Sequence, residues 1–200
     1  MTRSASIGRR APTRWRCAIL ALLGLLAAAA AGAPAAAAPR RFIIQPDASE
    51  VSFKATSRFM NADGRFHQVA GEVVVDPGDP ATARISVAIE AASIDTGIGL
   101  RDNHLRSADF LDVERFPAIT FESLRVEALG GHATVSGRLT MHGVTREIAV
   151  PVDVTLTEIA MVASGELVLN RRDYGITYNS SLNRVGNEVR VRFTFRARAS

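Results

Sequence analysis

Eight stretches of the chain alternate apolar and polar residues, and this period-two pattern limits the fold more than any other feature. Alternation of this kind places successive side chains on opposite faces of a β-strand, one face buried and one in water. The eight predicted strands are Glu50–Phe59, Arg65–Val75, Arg84–Ala91, Ala118–Val126, His132–Met141, Val144–Leu156, Ala160–Asn170 and Glu188–Arg198.

Short turn segments join most of these strands, which favours antiparallel meander order. Gly130-Gly131 and His142-Gly143 are predicted turns, and Asp76–Pro80 is a predicted loop. Pro151 has no N–H to donate, so we expect its strand to be interrupted there or to lie at a sheet edge. An open sheet of eight strands has two exposed edges, and closure into a barrel removes them. The predicted fold class is therefore all-β, an eight-stranded antiparallel barrel.

One segment between the third and fourth strands does not alternate. Leu100, Leu105 and Ala108 fall at helical spacing with charged residues between them, which predicts a short amphipathic helix against a core. Phe116-Pro117 ends any helix, because proline restricts the residue before it. We expect this single helix to cover one end of the barrel.

Residues 1–38 have the layout of a secretory signal peptide. Five arginines precede an apolar run, Cys17–Ala33, and small residues offer cleavage after Ala33, Ala37 or Ala38. A retained membrane anchor is the alternative, but the run is shorter than the roughly 20 residues that span a bilayer. We therefore predict a signal peptide at 1–38, a barrel domain at 39–200, and no stable membrane insertion.

Loss of the leader changes the charge of the protein. The whole chain carries 24 basic and 20 acidic side chains, and the five leader arginines leave 19 basic ones, a net charge of −1. Nucleic-acid binding then lacks its usual basic footprint, so it is not expected. The mature chain also lacks cysteine, so a hydrophobic core rather than a disulfide must stabilise it.

An outer-membrane barrel would show the same alternation, but its aromatic girdles are missing from this sequence. The one tryptophan, Trp15, lies in the leader, and the two tyrosines, Tyr174 and Tyr178, are close together in the chain. The last strand also carries four arginines on its polar face, which suits contact with water. These features favour a water-soluble barrel.

Catalysis and metal binding find little support in the sequence. Asp102, His104 and Asp109 can form an acid–base pair or a structural hydrogen-bonded cluster that fixes the helix, and we favour the structural cluster. Arg171–Gly175 is interpreted as a charged turn, with an anion site as the alternative. The remaining histidines lie on different predicted elements without metal-ligand spacing. We predict no enzyme activity, no cofactor and no metal.

Three motifs resemble the core of the YceI-like family: Ser93–Thr96, Arg101–Phe110 and Phe116–Phe121. Gly137–Arg146 and Arg171–Gly175 also match in the expected order, so the resemblance covers about residues 41–198. Family members look like lipocalin-like barrels exported to the periplasm, and several hold a long apolar chain. The resemblance implies a periplasmic binding protein for a polyisoprenoid, an isoprenoid quinone or a fatty amide.

Apolar residues of the strands and helix are the candidates for the ligand-lining face. They are Phe53, Phe59, Phe66, Ile85, Val87, Ile89, Leu100, Leu105, Phe110, Ile119, Phe121, Leu139, Ile148, Val150, Val191 and Phe193. Arg101 and Arg106 are candidates for contact with a head group. Charged isoprenyl phosphates and neutral quinones or amides stay open, because Asp102 and Asp109 can engage both arginines. A filled, ligand-free structural or stress-related interaction barrel is the alternative function, and a homodimer is left open.

Overall fold

The structure is a computed structural model that describes residues 38–57, 61–179 and 184–200. One α-helix is present among them, α1 (Gly99–Arg106). The strands are β1 (Arg40–Ile44), β2 (Glu50–Ser57), β3 (Ala62–Phe66), β4 (Val69–Asp76), β5 (Asp79–Glu90), β6 (Ile94–Asp95), β7 (Ala118–Leu129), β8 (His132–Met141), β9 (Val144–Leu156), β10 (Ala160–Asn170) and β11 (Val185–Ala199). Residues 1–37 of the predicted signal peptide, and Phe59, lie outside the described residues.

The strands close into an antiparallel barrel. The ring runs β1-β4-β5-β7-β8-β9-β10-β11, and β1 pairs back onto β11. The long strand β11 pairs with β1 through Ala197–Ala199 and with β2 through Val185–Thr194. β2 then pairs with β3, and β3 with β6, so these three short strands continue the sheet from the other part of β11. The prediction of an eight-stranded antiparallel barrel with one short helix is confirmed.

The structure differs from the predicted strands at two places. β1 was not predicted, and a 3-10 turn at Pro46–Ala48 separates it from β2. The predicted strand Arg65–Val75 is broken into β3 and β4 at His67 and Gln68. The backbone N–H groups of these two residues instead donate to the carbonyl and hydroxyl of Ser93, at 3.3 and 3.1 Å.

Strand β9 is continuous through Pro151, so the expected interruption is wrong, whereas the alternative expectation of a sheet edge is met on the side that faces β10. Pro151 stands opposite Thr134 in a ladder with β8 that covers almost all of β9. Toward β10, however, β9 pairs only through Asp153–Leu156, which face Met161–Ser164. Pro151 has no N–H to donate to β10, and this ladder stops at Asp153, two residues beyond Pro151 in the chain. A cleft of about 340 Å³ is lined by the strand segments beyond this ladder.

Buried side chains form layers along the barrel. Phe42, Ile44 and Val75 are buried with Met161 in the largest cluster. A second cluster surrounds Tyr174, and a third lies beside α1, where Leu105 and Phe110 pack against buried neighbours. No helix among the described residues has the length and apolar character to cross a bilayer.

Candidate ligand-binding site

The barrel interior is a mainly apolar cavity of about 1180 Å³. Every one of the eight ring positions contributes side chains to its lining. The predicted lining residues found there are Phe53, Phe66, Ile85, Val87, Ile89, Leu105, Phe110, Ile119, Phe121, Leu139, Ile148, Val150, Val191 and Phe193. The interior is therefore hollow, which the alternation alone could not show.

Phenylalanine rings lie along the wall because glycines face them. Phe193 is opposite Gly165, and a Cβ on Gly165 would stand 2.7 Å from the ring Cζ. Phe53 is opposite Gly64 in the same relation, at 2.6 Å. Such contacts are far inside van der Waals distance, so only glycine leaves room for the ring at each place. Each phenylalanine ring lies over a glycine of the neighbouring strand. Part of the ring volume is therefore accommodated at the wall and does not fill the centre of the cavity.

Leu100 is a predicted lining residue that lies elsewhere. Its side chain is 86% exposed, whereas Leu105 lines the cavity. The two residues are five positions apart, which separates them by about 140° around a helix of 3.6 residues per turn. α1 also ends at Arg106, before Ala108. One helical face therefore cannot bring all three predicted residues to the core.

Arg106 lies outside the cavity lining, although it was a head-group candidate. Its Nε donates to the Ala92 carbonyl at 2.8 Å, and its Nη2 donates to the Ile94 carbonyl at 2.5 Å. These bonds tie α1 to the 3-10 turn and short strand that precede it. The observed contacts of Arg106 are those of a helix anchor.

Arg101, the other head-group candidate, does line the cavity. Its guanidinium donates to the Thr96 hydroxyl at 2.8 Å, to the Thr96 carbonyl at 3.0 Å and to the Asn61 carbonyl at 3.3 Å. The buried carboxylate of Asp102 accepts from the Thr96 N–H and hydroxyl instead. Asp102 therefore fixes the segment that holds Arg101, without forming an ion pair with it.

His104 lines the cavity and also belongs to a ring cluster. Its Nε2 lies 2.9 Å from Asp109 Oδ2, and its ring meets Phe110 and Tyr178 edge-on at 5.0 and 4.9 Å. Tyr178 lines the cavity beside it. The sequence analysis missed Tyr178, because no alternation marks the segment between β10 and β11.

Arg171 is a cavity-lining cation that was interpreted as part of a charged turn. Its side chain is only 4% exposed. Nε, Nη1 and Nη2 donate to the carbonyls of Gly186, Ile176 and Val185 at 2.9, 2.7 and 3.2 Å. Burial lowers the pKa of this arginine below its ordinary value, and the nearby Arg172 lowers it further. The guanidinium joins the end of β10 to the start of β11.

Other cavity-lining residues were left out of the predicted set, although the apolar–polar alternation of their strands marks them. Val152 and Val154 continue the face of Ile148 and Val150, and Phe195 continues the face of Phe193. Period two along each strand would have found them. Ile44 could not be found in this way, because β1 is too short to show a pattern.

Residues 42–197 match the YceI-like domain. The chain belongs to the YceI-like family. A UPF0312 protein of Pseudomonas aeruginosa is 41% identical over 87 residues, which cover 44% of this chain and 46% of the relative. A UPF0312 protein of Shewanella baltica is 35% identical over 133 residues, 64% of this chain and 70% of the relative. This YceI-like chain thus spans about half the length of the P. aeruginosa relatives it matches.

Solved structures support the YceI-like fold. BcnA of Burkholderia cenocepacia has a TM-score of 0.71 at 24% identity and covers 76% of this chain and 98% of its own. A polyisoprenoid-binding domain from Saccharophagus degradans has a TM-score of 0.65 at 18% identity, covering 80% and 98%. At these identities the likeness shows the shared barrel fold.

The two ends of the YceI-like cavity differ in charge. Arg101, His104 and Arg171 line the end beside α1. The opposite end is lined by the hairpin residues Asp79 and His132, and Asp79 is the sole carboxylate in the lining that the structure describes. Within the described ranges, no group of histidines and acids is arranged to hold a metal ion.

Proposed function

We propose that this YceI-like protein is a periplasmic carrier that holds a long-chain apolar lipid inside the barrel, and that it catalyses no reaction. The observation that carries the proposal is the apolar cavity of about 1180 Å³. It exceeds the roughly 300–1,000 Å³ of ordinary small-molecule pockets. The ligand classes are a polyisoprenoid, an isoprenoid quinone or a fatty amide.

Burial of the chain supplies the binding energy in this proposal. Each buried CH2 contributes about 0.8 kcal/mol, so a long aliphatic chain needs few polar contacts to bind tightly. The hollow interior favours a carrier over a filled structural barrel, because a filled barrel would use this volume for side chains. The polyisoprenoid-binding domain of S. degradans, which shares the fold, supports the same choice.

The predicted leader supports a role in a lipid's passage between membranes. The leader predicted at residues 1–38 would deliver the protein to the periplasm, where an apolar chain needs protection from water. The proposed binding partner is therefore a lipid rather than a nucleic acid or a membrane-spanning complex.

Native mass spectrometry tests the proposal. Protein purified from its own host without detergent should carry a bound mass that organic extraction removes and identifies as lipid. Ile89→Arg places a charge in the cavity and should abolish the bound mass while circular dichroism still shows the barrel. Ile159→Arg is the matched control, since Ile159 is 76% exposed and lies outside the cavity lining. A protein that is ligand-free and takes up no isoprenoid, quinone or fatty amide would refute the carrier.

A further inference from the structure

Arg171 is a buried cation whose hydrogen bonds within the described residues all go to neutral groups. The three acceptors are backbone carbonyls, which supply partial charges only. A guanidinium has five N–H donors, and the described residues accept from three of them. Buried charges are normally paired with an opposite charge, since desolvation of an unpaired ion is unfavourable.

The shortage of negative charge extends to Arg101. None of the ion pairs among the described residues includes Arg101 or Arg171. All 20 acidic residues of the chain fall within the described ranges, because residues 1–37, 58–60 and 180–183 contain none. The protein itself therefore supplies no carboxylate partner to either cavity arginine.

The two arginines are held at the same end of the barrel. Arg171 bonds to Val185 and Gly186, and Val185 is the register partner of Ser57 at the end of β2. The Ser57 N–H donates to the side-chain oxygen of Asn61, whose carbonyl accepts from Arg101. The end of β2 thus lies between the anchoring points of the two guanidinium groups.

His104 and Tyr178 add polar groups at this end. Arg171 bonds to the carbonyl of Ile176, two residues before Tyr178, and the Tyr178 ring packs on His104. All four side chains, Arg101, His104, Arg171 and Tyr178, line the cavity. The carboxylate of Asp79 lines it at the opposite end, among the hairpins.

We propose that the α1 end of the cavity binds the acidic head group of the lipid, a phosphate or a carboxylate, with the apolar tail extending toward the β4–β5 hairpin. The inference rests on the proposed lipid carrier and narrows its ligand. Arginine forms paired, charge-assisted hydrogen bonds with both anions. An anion at the α1 end supplies the missing countercharge, whereas at the other end it would meet Asp79. Isoprenyl phosphates and fatty acids are thereby favoured over quinones and amides.

Matched ligand pairs test the head group. Geranylgeranyl monophosphate is compared with geranylgeraniol, and palmitic acid with hexadecanol, by titration calorimetry on the mature protein at pH 7. We expect at least one acidic member to bind ten-fold or more tightly than its alcohol. Preference in the phosphate pair alone, or in the carboxylate pair alone, identifies which acid the site accepts.

Variants of the two cavity arginines test whether these residues cause the preference for an acidic head group. Arg171→Gln and Arg101→Gln should each reduce the acid-to-alcohol affinity ratio, and Arg171→Lys should keep more of it than Arg171→Gln. Arg84→Gln is the control, since Arg84 is exposed on β5 and lies outside the lining. If Arg171→Gln does not fold, the wild-type ratio together with Arg101→Gln decides, because the Arg101 side chain is only half-buried whereas Arg171 is 4% exposed.

Orientation is tested with an acidic lipid that carries a photoreactive diazirine at its tail end. Crosslinks should map to the hairpin end, around Pro80, Ala81 and Gly131, which line the cavity there. Crosslinks at His104 or Tyr178 would overturn the orientation. Equal affinities within both ligand pairs would overturn the acidic head group and leave the lipid carrier standing. Failure of all four ligands to bind, together with a ligand-free native protein, would refute both proposals.

Discussion

Phe193 stands across the β10–β11 ladder from Gly165, and its ring covers the place that a side chain at residue 165 would occupy. A Cβ there would also lie 2.5 Å from the Pro151 carbonyl oxygen, so the glycine accommodates both a ring and a neighbouring backbone. The hollow interior depends on pairs of this kind, because each ring kept on the wall is volume kept out of the cavity.

Gly165→Ala should therefore destabilise the barrel and shrink its cavity. We expect a loss of about 1–3 kcal/mol in the free energy of unfolding, typical of overpacking, and a lower capacity for the longest lipid chains. Urea unfolding and lipid titration measure the two effects. Gly99→Ala is the control, since nothing lies within 4 Å of its added Cβ. Unchanged stability and capacity in Gly165→Ala would contradict the role of the glycine.

Arg106→Ala should destabilise the protein without changing which lipid it prefers. Two bonds from a charged donor to the Ala92 and Ile94 carbonyls would be lost, at about 1.5–3 kcal/mol each. The acid-to-alcohol affinity ratio should stay at its wild-type value, because Arg106 lies outside the cavity lining. Leu100→Ala, on the exposed side of α1, should leave both stability and the ratio unchanged. A fall in the ratio for Arg106→Ala would restore Arg106 as a head-group residue.

His104→Ala and Asp109→Ala should show energetic coupling. Each removes the same hydrogen bond at a half-exposed site, and we expect about 1 kcal/mol of lost stability for each. The double variant should lose less than the sum of the two single losses, as groups in direct contact do. Thermal unfolding of the four proteins measures the coupling. Additive losses, or a measurable enzymatic turnover that depends on His104, would reject the structural interpretation.

Glu166 should make stability depend on acid pH. Hydrogen bonds from Arg192 and Arg190 hold the pKa of its carboxyl below the ordinary 4.5. Because the folded pKa is the lower one, the stabilisation is complete above about pH 4.5 and disappears as the pH falls through the folded pKa. Glu166→Gln should therefore lower the free energy of unfolding at pH 7, and the difference from wild type should vanish toward pH 3.

Denaturant unfolding at both pH values is the measurement for Glu166. Glu188→Gln on the neighbouring strand is the control, since Glu188 is exposed and forms no ion pair with any of the described residues. A difference for Glu166→Gln that is equally large at pH 3 and pH 7 would contradict the assignment.

Cleavage of the leader should be visible as a decrease in the mass of the intact protein. Intact mass spectrometry of the exported protein should show a chain that begins after Ala33, Ala37 or Ala38. Periplasmic extraction should release that chain without detergent. A membrane-bound protein that still contains Cys17 would show that the leader is a retained anchor.

The sequence predicts the barrel well because closure and alternation are strong, repeated constraints. All eight predicted strands correspond to strands of the structure, and fourteen of the sixteen predicted lining residues line the cavity. The prediction for Leu100 was wrong because a helix of eight residues has too few apolar positions for their spacing to define one buried face.

The polar end of the site was beyond sequence reasoning for a different reason. Arg171 bonds to carbonyls five to fifteen residues further along the chain, and a backbone acceptor leaves no mark in the amino-acid pattern. Charge alternation around Arg171–Gly175 resembled an ordinary turn. Only the fold shows that this guanidinium is buried and faces the lipid-sized space.

The short ladder between β9 and β10 gives the barrel a seam. Four residues on each side share backbone pairing, Asp153–Leu156 and Met161–Ser164. Near the start of β9, beyond this ladder, the Arg146 guanidinium donates to the carbonyl of Asp173, which follows β10. This hydrogen bond links the two strands at that end. Amide protons that face this seam should exchange with deuterium faster than those of the β7–β8 ladder, because local opening needs fewer bonds to break. Transient opening of the barrel wall is therefore expected between β9 and β10 before it occurs between β7 and β8, whose ladder is longer.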